Sequence, residues 1–189
     1  MKINTDTIIV DPHPLLRVKS EDVSLPLSKE DYDLAMSLLT YVRDSRDPIK
    51  AEQEKLKPAV GIAAPQIGIN KKIFAVSVDM LDDEDKVETI EYLLVNPKLI
   101  AHSKRECALS NGEGCLSIEE TYEGLVYRHE RVTFKAFDVL KNQEVVIKES
   151  DYVGIVLQHE YDHLLGVLFY DRINKADPWK EKDNATLID

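Results

Sequence analysis

The segment SDYVGIVLQHEYDHLLG, residues 150 to 166, is apolar on most sides of a helix yet carries His159, Glu160, Asp162 and His163. Val153, Ile155, Val156, Leu157 and Leu164 spread around the helical wheel, so such a helix is expected in the interior. Ser150 is placed to cap it and Gly166 to stop it. Two imidazoles and two carboxylates cannot be taken out of water cheaply unless they are paired or bound to a metal. Whatever this chain folds into must therefore enclose the helix and bring partners to its polar side.

The material available to enclose it reads mainly as strands. KIFAVSV (72 to 78), IEYLLVNPKLIA (90 to 101) and RECALS (105 to 110) are rich in β-branched and alternating apolar residues. RVTFKAFDVLKNQEVVIKE (131 to 149) reads as a hairpin turning near Lys141 and Asn142. A second helix is expected from Ser28, a capping residue, with Tyr32, Ala35, Met36, Leu39 and Val42 on one face. The stretch DSRDPIKAEQEKLKP (44 to 58), with Pro48 and Pro58, reads as an exposed, mobile connection, and DMLDDEDKVE (79 to 88) as an acidic break. The tail DPWKEKDNATLID has no helical period and no readable role. The expected fold class is α+β, with antiparallel strands in small sheets packed around a central buried helix carrying HEYDH.

With 189 residues and 43% hydrophobic content, the chain suffices for one core, so residues 1 to 189 are expected to form a single catalytic domain. A net charge of −11 argues against sequence-independent binding to nucleic acid, which needs clustered Lys and Arg, and no specific DNA binding is expected. No apolar run approaches the ~20 residues that span a bilayer, and MKINTDTIIVDPHP lacks a signal-peptide pattern. Two cysteines make no disulfide framework. A cytoplasmic location without membrane contact is the expectation.

His159 and His163 lie four apart, so on a helix both rings can converge on one ion, with Glu160 beside them. A catalytic site needs a third ligand and an open position, and no third histidine follows at a suitable spacing. NGEGCLS (111 to 117) offers Cys115 among turn-forming glycines, where a thiolate can reach a metal. Cys107, in an ordinary strand-like setting, is assigned to packing, and His13, His102 and His129 to solvated or capping positions.

VGIAAPQIG (60 to 68), EGCLS (113 to 117) and QHEYDH (158 to 163), in this order, resemble the three signature motifs of peptide deformylase. The resemblance extends from about residue 10 to 173 and leaves out the tail from about 174. It implies hydrolysis of the formyl group from the N-terminal formylmethionine of new polypeptides, releasing formate. It implies one divalent metal, Fe²⁺ physiologically with Zn, Ni or Co as substitutes, on Cys115, His159 and His163. Glu160 is then the general acid and base. The Gln66 amide and the Leu116 backbone N–H are then oxyanion donors. Val60 and Gly61 become the stretch that pairs with substrate, and Glu113 a residue that orients the site. Asp162 is expected to pair with Arg128 and brace helix against strand. N-formylmethionyl nascent peptides are the implied partners, while the charge leaves docking to the ribosome open.

The chain departs from the family pattern at Ala59, where Gly is usual, and at Tyr127, where many relatives have Pro. Ala59 implies a slightly altered entrance loop. Longer connections around 43 to 58 and 79 to 89 resemble a subgroup with insertions found mainly in Gram-positive bacteria. Two rivals stand beside this reading. An HExxH metallopeptidase would share Glu160 and both histidines, but not Cys115. A non-catalytic protein with a metal staple would need a closed fourth position.

Overall fold

A computed structural model describes residues 1 to 81 and 84 to 189; part of the acidic break expected over 79 to 88 lies outside the described residues. Among the described residues, eight strands form two sheets. The larger runs β1 (Gly61–Ala63), β2 (Ile73–Leu81), β3 (Val87–His102), β6 (Arg131–Asp138) and β7 (Gln143–Ser150), all neighbours antiparallel. The smaller holds β5 (Arg128–His129), β4 (Glu106–Leu109) and β8 (Ala185–Ile188).

The continuous apolar run in β2 follows from cover on both faces. Ile73 and Ala75 join one core with Leu93 and Val95, against the buried side of helix α1 (Lys29–Arg46). Phe74, Val76 and Val78 point the other way and join Leu94, Phe134, Val156, Leu157 and Leu164, which brings in helix α3 (Asp151–Leu164). Each such side chain, fully buried, contributes about 1.5–3 kcal/mol, so neither face of the sheet can be left open. Helix α3 thus lies against one face of the larger sheet and touches β4 and β5 of the smaller. HEYDH occupies its last turns, and Gly166 follows with φ 72.

Several expectations need correction. Helix α1 is capped by Ser28, whose Oγ accepts from Asp31 N at 3.0 Å, but Tyr32 is exposed and Met36 only half-buried. The buried arc runs instead through Leu34, Leu38, Tyr41 and Ser45 beside Ala35, Leu39 and Val42. The stretch read as a mobile connection contains helix α2 (Pro48–Glu54). Asp47 accepts from Ile49 N and Lys50 N, and Pro48 fills the first helical position, where its missing N–H costs nothing. Strand β3 runs through Asn96 and Pro97, and its register against β6 shifts between Val95 and Lys98, where a proline has no N–H to offer a ladder.

The tail is structured as well. β8 pairs with β4 in parallel, against the antiparallel expectation. Thr186, Leu187 and Ile188 suit a strand, and Tyr127 pins the approach to it, accepting from Lys182 N at 2.9 Å and donating to Lys180 O at 3.3 Å. The departure at Tyr127 and the unread tail are therefore two sides of one contact. Among the described residues, no helix is long and apolar enough to cross a membrane.

Candidate metal centre

Within α3 the rings of His159 and His163 lie 5.0 Å apart, centre to centre. The loop after β4 brings Cys115 to them, its Sγ 3.3 Å from His163 Nε2. Gly112 in that loop has φ 77, and a Cβ there would meet the Gly124 carbonyl oxygen at 2.9 Å, so only glycine fits this turn. One ligand atom from each of Cys115, His159 and His163 falls within 4.8 Å of the others.

Glu113 holds the arrangement in place. Its Oε2 lies 2.8 Å from His159 Nδ1, and the Arg128 guanidinium donates to both its oxygens, at 2.6 and 2.9 Å. Burial alone would raise the Glu113 pKa, but Arg128 and then His159 outweigh it and hold it at about 2. A charged Glu113 favours a proton on His159 Nδ1, so Nε2 is the ring nitrogen that can serve a metal. Burial pushes the His159 pKa down, yet contacts with Cys115 and Glu113 raise it well above the usual value. That imidazole therefore sits where positive charge is stabilised. His163 is driven well below its usual value by burial and by the charges of His159 and Arg128, and remains neutral. Its Nδ1 is buried without a partner among the described residues. A thiol and two imidazoles facing one point, with anions behind them, fit a single borderline-soft divalent ion.

Glu160 faces the same space. It is buried, its Oε2 has no partner among the described residues, and burial raises its pKa to about 7. A Cβ on Gly61 would come within 2.4 Å of Glu160 Oε1, so the glycine leaves room for this carboxylate. Gly61 begins β1, an outer strand of the larger sheet: one side pairs with β2, and its other side has no strand neighbour among the described residues. Val60 O accepts from Ser77 N at 2.9 Å. Just past β1, Gln66 is oriented by Ala63 N donating to its Oε1 at 2.8 Å, which leaves Nε2 at 3.2 Å from Ser117 Oγ and 3.6 Å from Cys115 Sγ. The Leu116 N–H follows the thiol and is committed to none of the described hydrogen bonds. A cleft of about 500 Å³ joins these groups to the apolar side chains of Val60, Leu109, Ile118, Ile155 and Val156.

Asp162 points away from this space. Its Oδ2 accepts from Arg128 Nη1 at 2.8 Å, and Arg172 binds both its oxygens, at 2.7 and 2.6 Å. Arg128, with only 1% of its side chain exposed, is clamped between Glu113 and Asp162. The sequence reading missed Arg172 and Ser117. The need of a buried Asp162 for more than one cation is the signal that points to Arg172. Cys107 is buried with its pKa pushed up to about 11, as a packing thiol should be, and His13 caps the turn at Leu15. His129 is not solvated: it is half-buried and stacks on His102 at 3.6 Å.

The family model described as polypeptide deformylase matches residues 5 to 179. The chain is 43% identical to a peptide deformylase of Streptococcus pyogenes, over 99% of this chain and 94% of that protein. It is 38% identical to one of Enterococcus faecalis, over 99% of this chain and the whole of that protein. These relatives agree with the subgroup inferred from the insertions. A crystal structure of an Acinetobacter baumannii peptide deformylase bound to Met-Ala-Ser superposes with a TM-score of 0.69 at 26% identity, covering 92% of this chain and 100% of that one. With the motifs, the fold and full-length relatives in agreement, the chain belongs to the peptide deformylase family.

Proposed function

We propose that Cys115, His159 and His163 are the three protein ligands of one divalent metal, Fe²⁺ in the cell with Zn²⁺, Ni²⁺ or Co²⁺ able to replace it, and that Glu160 is the group that moves protons. The chain is a metal-dependent hydrolase that removes the formyl group from N-formylated polypeptides and releases formate. The observation that carries the assignment is the unpartnered Glu160 carboxylate, buried between a free strand edge and the Cys115, His159 and His163 cluster. We take residues 1 to 189 as one catalytic domain, acting in the cytoplasm on nascent formylmethionyl chains.

When bound, the ion supplies Lewis acidity and makes hydroxide available from water near neutral pH. Val60 and Gly61 receive the first substrate residue along the open edge of β1, and the apolar cleft wall accepts a methionine side chain. Gln66 Nε2 and the Leu116 N–H are aimed at the developing oxyanion without needing to reorganise. Glu160, with a pKa near 7, accepts the proton released on attack and passes it to the departing amine. Glu113 keeps His159 in the ligating tautomer, and Arg128 and Asp162 keep Glu113 and α3 in place.

The test is anaerobic purification followed by formate release from formyl-Met-Ala-Ser, with casein cleavage as the counter-assay. Formate release that disappears in Cys115→Ser together with bound metal is expected. Casein cleavage without formate release would overturn the reading in favour of a peptidase.

A further inference from the structure

The insertion at 43 to 58 carries more than length. Three hydrogen bonds join the end of α1 to the chain entering β1: Tyr41 Oη to Lys57 O at 3.0 Å, Ala59 N to Ser45 Oγ at 3.2 Å, and Ser45 Oγ to Ala59 O at 3.5 Å. They set the backbone of Lys57 to Ala59 as one wall of the cleft and place Arg46 and Lys57 in that wall. The two cations are not equivalent. Arg46 donates to Ser77 O and Oγ, at 2.9 and 2.7 Å, and is ion-paired with Asp79. Lys57 is exposed, and its ammonium has no partner among the described residues. In a chain with a net charge of −11, an uncompensated cation at the mouth of the reactive cleft is set apart from its surroundings.

The direction of the substrate follows from the same wall. Between residues 57 and 65 the cleft is lined by Lys57 to Gly61 and by none of Ile62 to Pro65. A peptide whose first residue sits opposite Gly61 and which stays in the cleft must therefore run antiparallel to the chain entering β1. If extended, it passes Ala59 and then Lys57, whose level a fifth residue about 13 Å from the first can reach. The far flank, beyond Cys115, carries Glu119, Glu120 and Glu123, so an acidic side chain is attracted at one end and repelled at the other.

Resting on the deformylase reading above, we infer that Lys57 is a specificity determinant that draws acidic side chains at the third to fifth residues of the formylated chain. The contact is an exposed ion pair, so it acts on association and weakens with salt within a Debye length of about 10 Å at 0.1 M. It acts on KM and leaves kcat alone, because no reacting atom lies there.

The test uses C-terminally amidated formyl-Met-Ala peptides carrying Glu, Gln or Lys in turn at positions three, four and five. At low salt, kcat/KM for Glu over Lys at the best position is expected to be about three- to tenfold, carried by KM and shrinking towards one at high salt. The Glu to Lys ratio should flatten in Lys57→Gln and invert in Lys57→Glu, read as a ratio between peptides rather than an absolute rate. Turnover of all peptides with no charge preference, or a preference unaltered in Lys57→Glu, would overturn this inference alone. No formate from any peptide with the wild-type protein would instead remove the activity on which it rests.

Discussion

Glu160 and Arg128 are both buried charged side chains, and their surroundings give them opposite tasks. Glu160 has one oxygen without a partner and a pKa near 7, so it is free to exchange a proton, whereas Arg128 is saturated by Glu113 and Asp162. Glu160→Ala is accordingly expected to keep bound metal at wild-type stoichiometry while kcat falls by about 10²–10⁴. Metal content and formate release measured on one sample check this, and near-normal turnover would take Glu160 out of the reaction. At this scale the sequence was legible wherever spacing carries geometry: two histidines four apart on one helix must share a face. It was silent where geometry depends on distant chain, as with Arg172 on Asp162 and Ser117 on Gln66, because no local pattern announces those meetings.

Arg128 is where three elements meet. From β5 it reaches Glu113 in the loop that carries Cys115 and Asp162 in α3, all out of water, so its loss would leave Glu113 and Asp162 buried with Arg172 only on the far side of Asp162. Breaking a buried pair by deleting one partner costs about 3–5 kcal/mol. Arg128→Ala should therefore lower Tm by roughly 6–20 °C, at ~2–4 °C per kcal/mol for a chain of this size. An unchanged melting curve would mean that the triad contributes nothing. Elements declared by periodicity or caps were readable, including α1, α3 and the hairpin of β6 and β7. Helix α2 had its signals, Asp47 and Pro48, but a charged and proline-flanked context pointed the reading elsewhere. Strand β8 could not be read, since four residues form a strand there only because β4 and Tyr127 lie ready to receive them.

For the whole molecule the question is how far the fold depends on its metal. The two cores on opposite faces of the larger sheet are built from Leu, Ile, Val and Phe, and neither needs an ion to close. This differs from small zinc modules, which are unfolded without metal because they have little else to bury. The metal adds stability by mass action: an ion present at 1,000 times its dissociation constant contributes about 4 kcal/mol. Chelation is thus expected to lower Tm by about 8–16 °C while the transition stays cooperative and the far-UV circular dichroism stays native. Restoring a divalent ion should reverse the shift in the wild-type protein and leave Cys115→Ser largely unmoved, because that variant lacks the sulfur proposed to complete the ligand set. A chelated chain that loses its secondary structure would show that the ion, rather than the two cores, organises the fold.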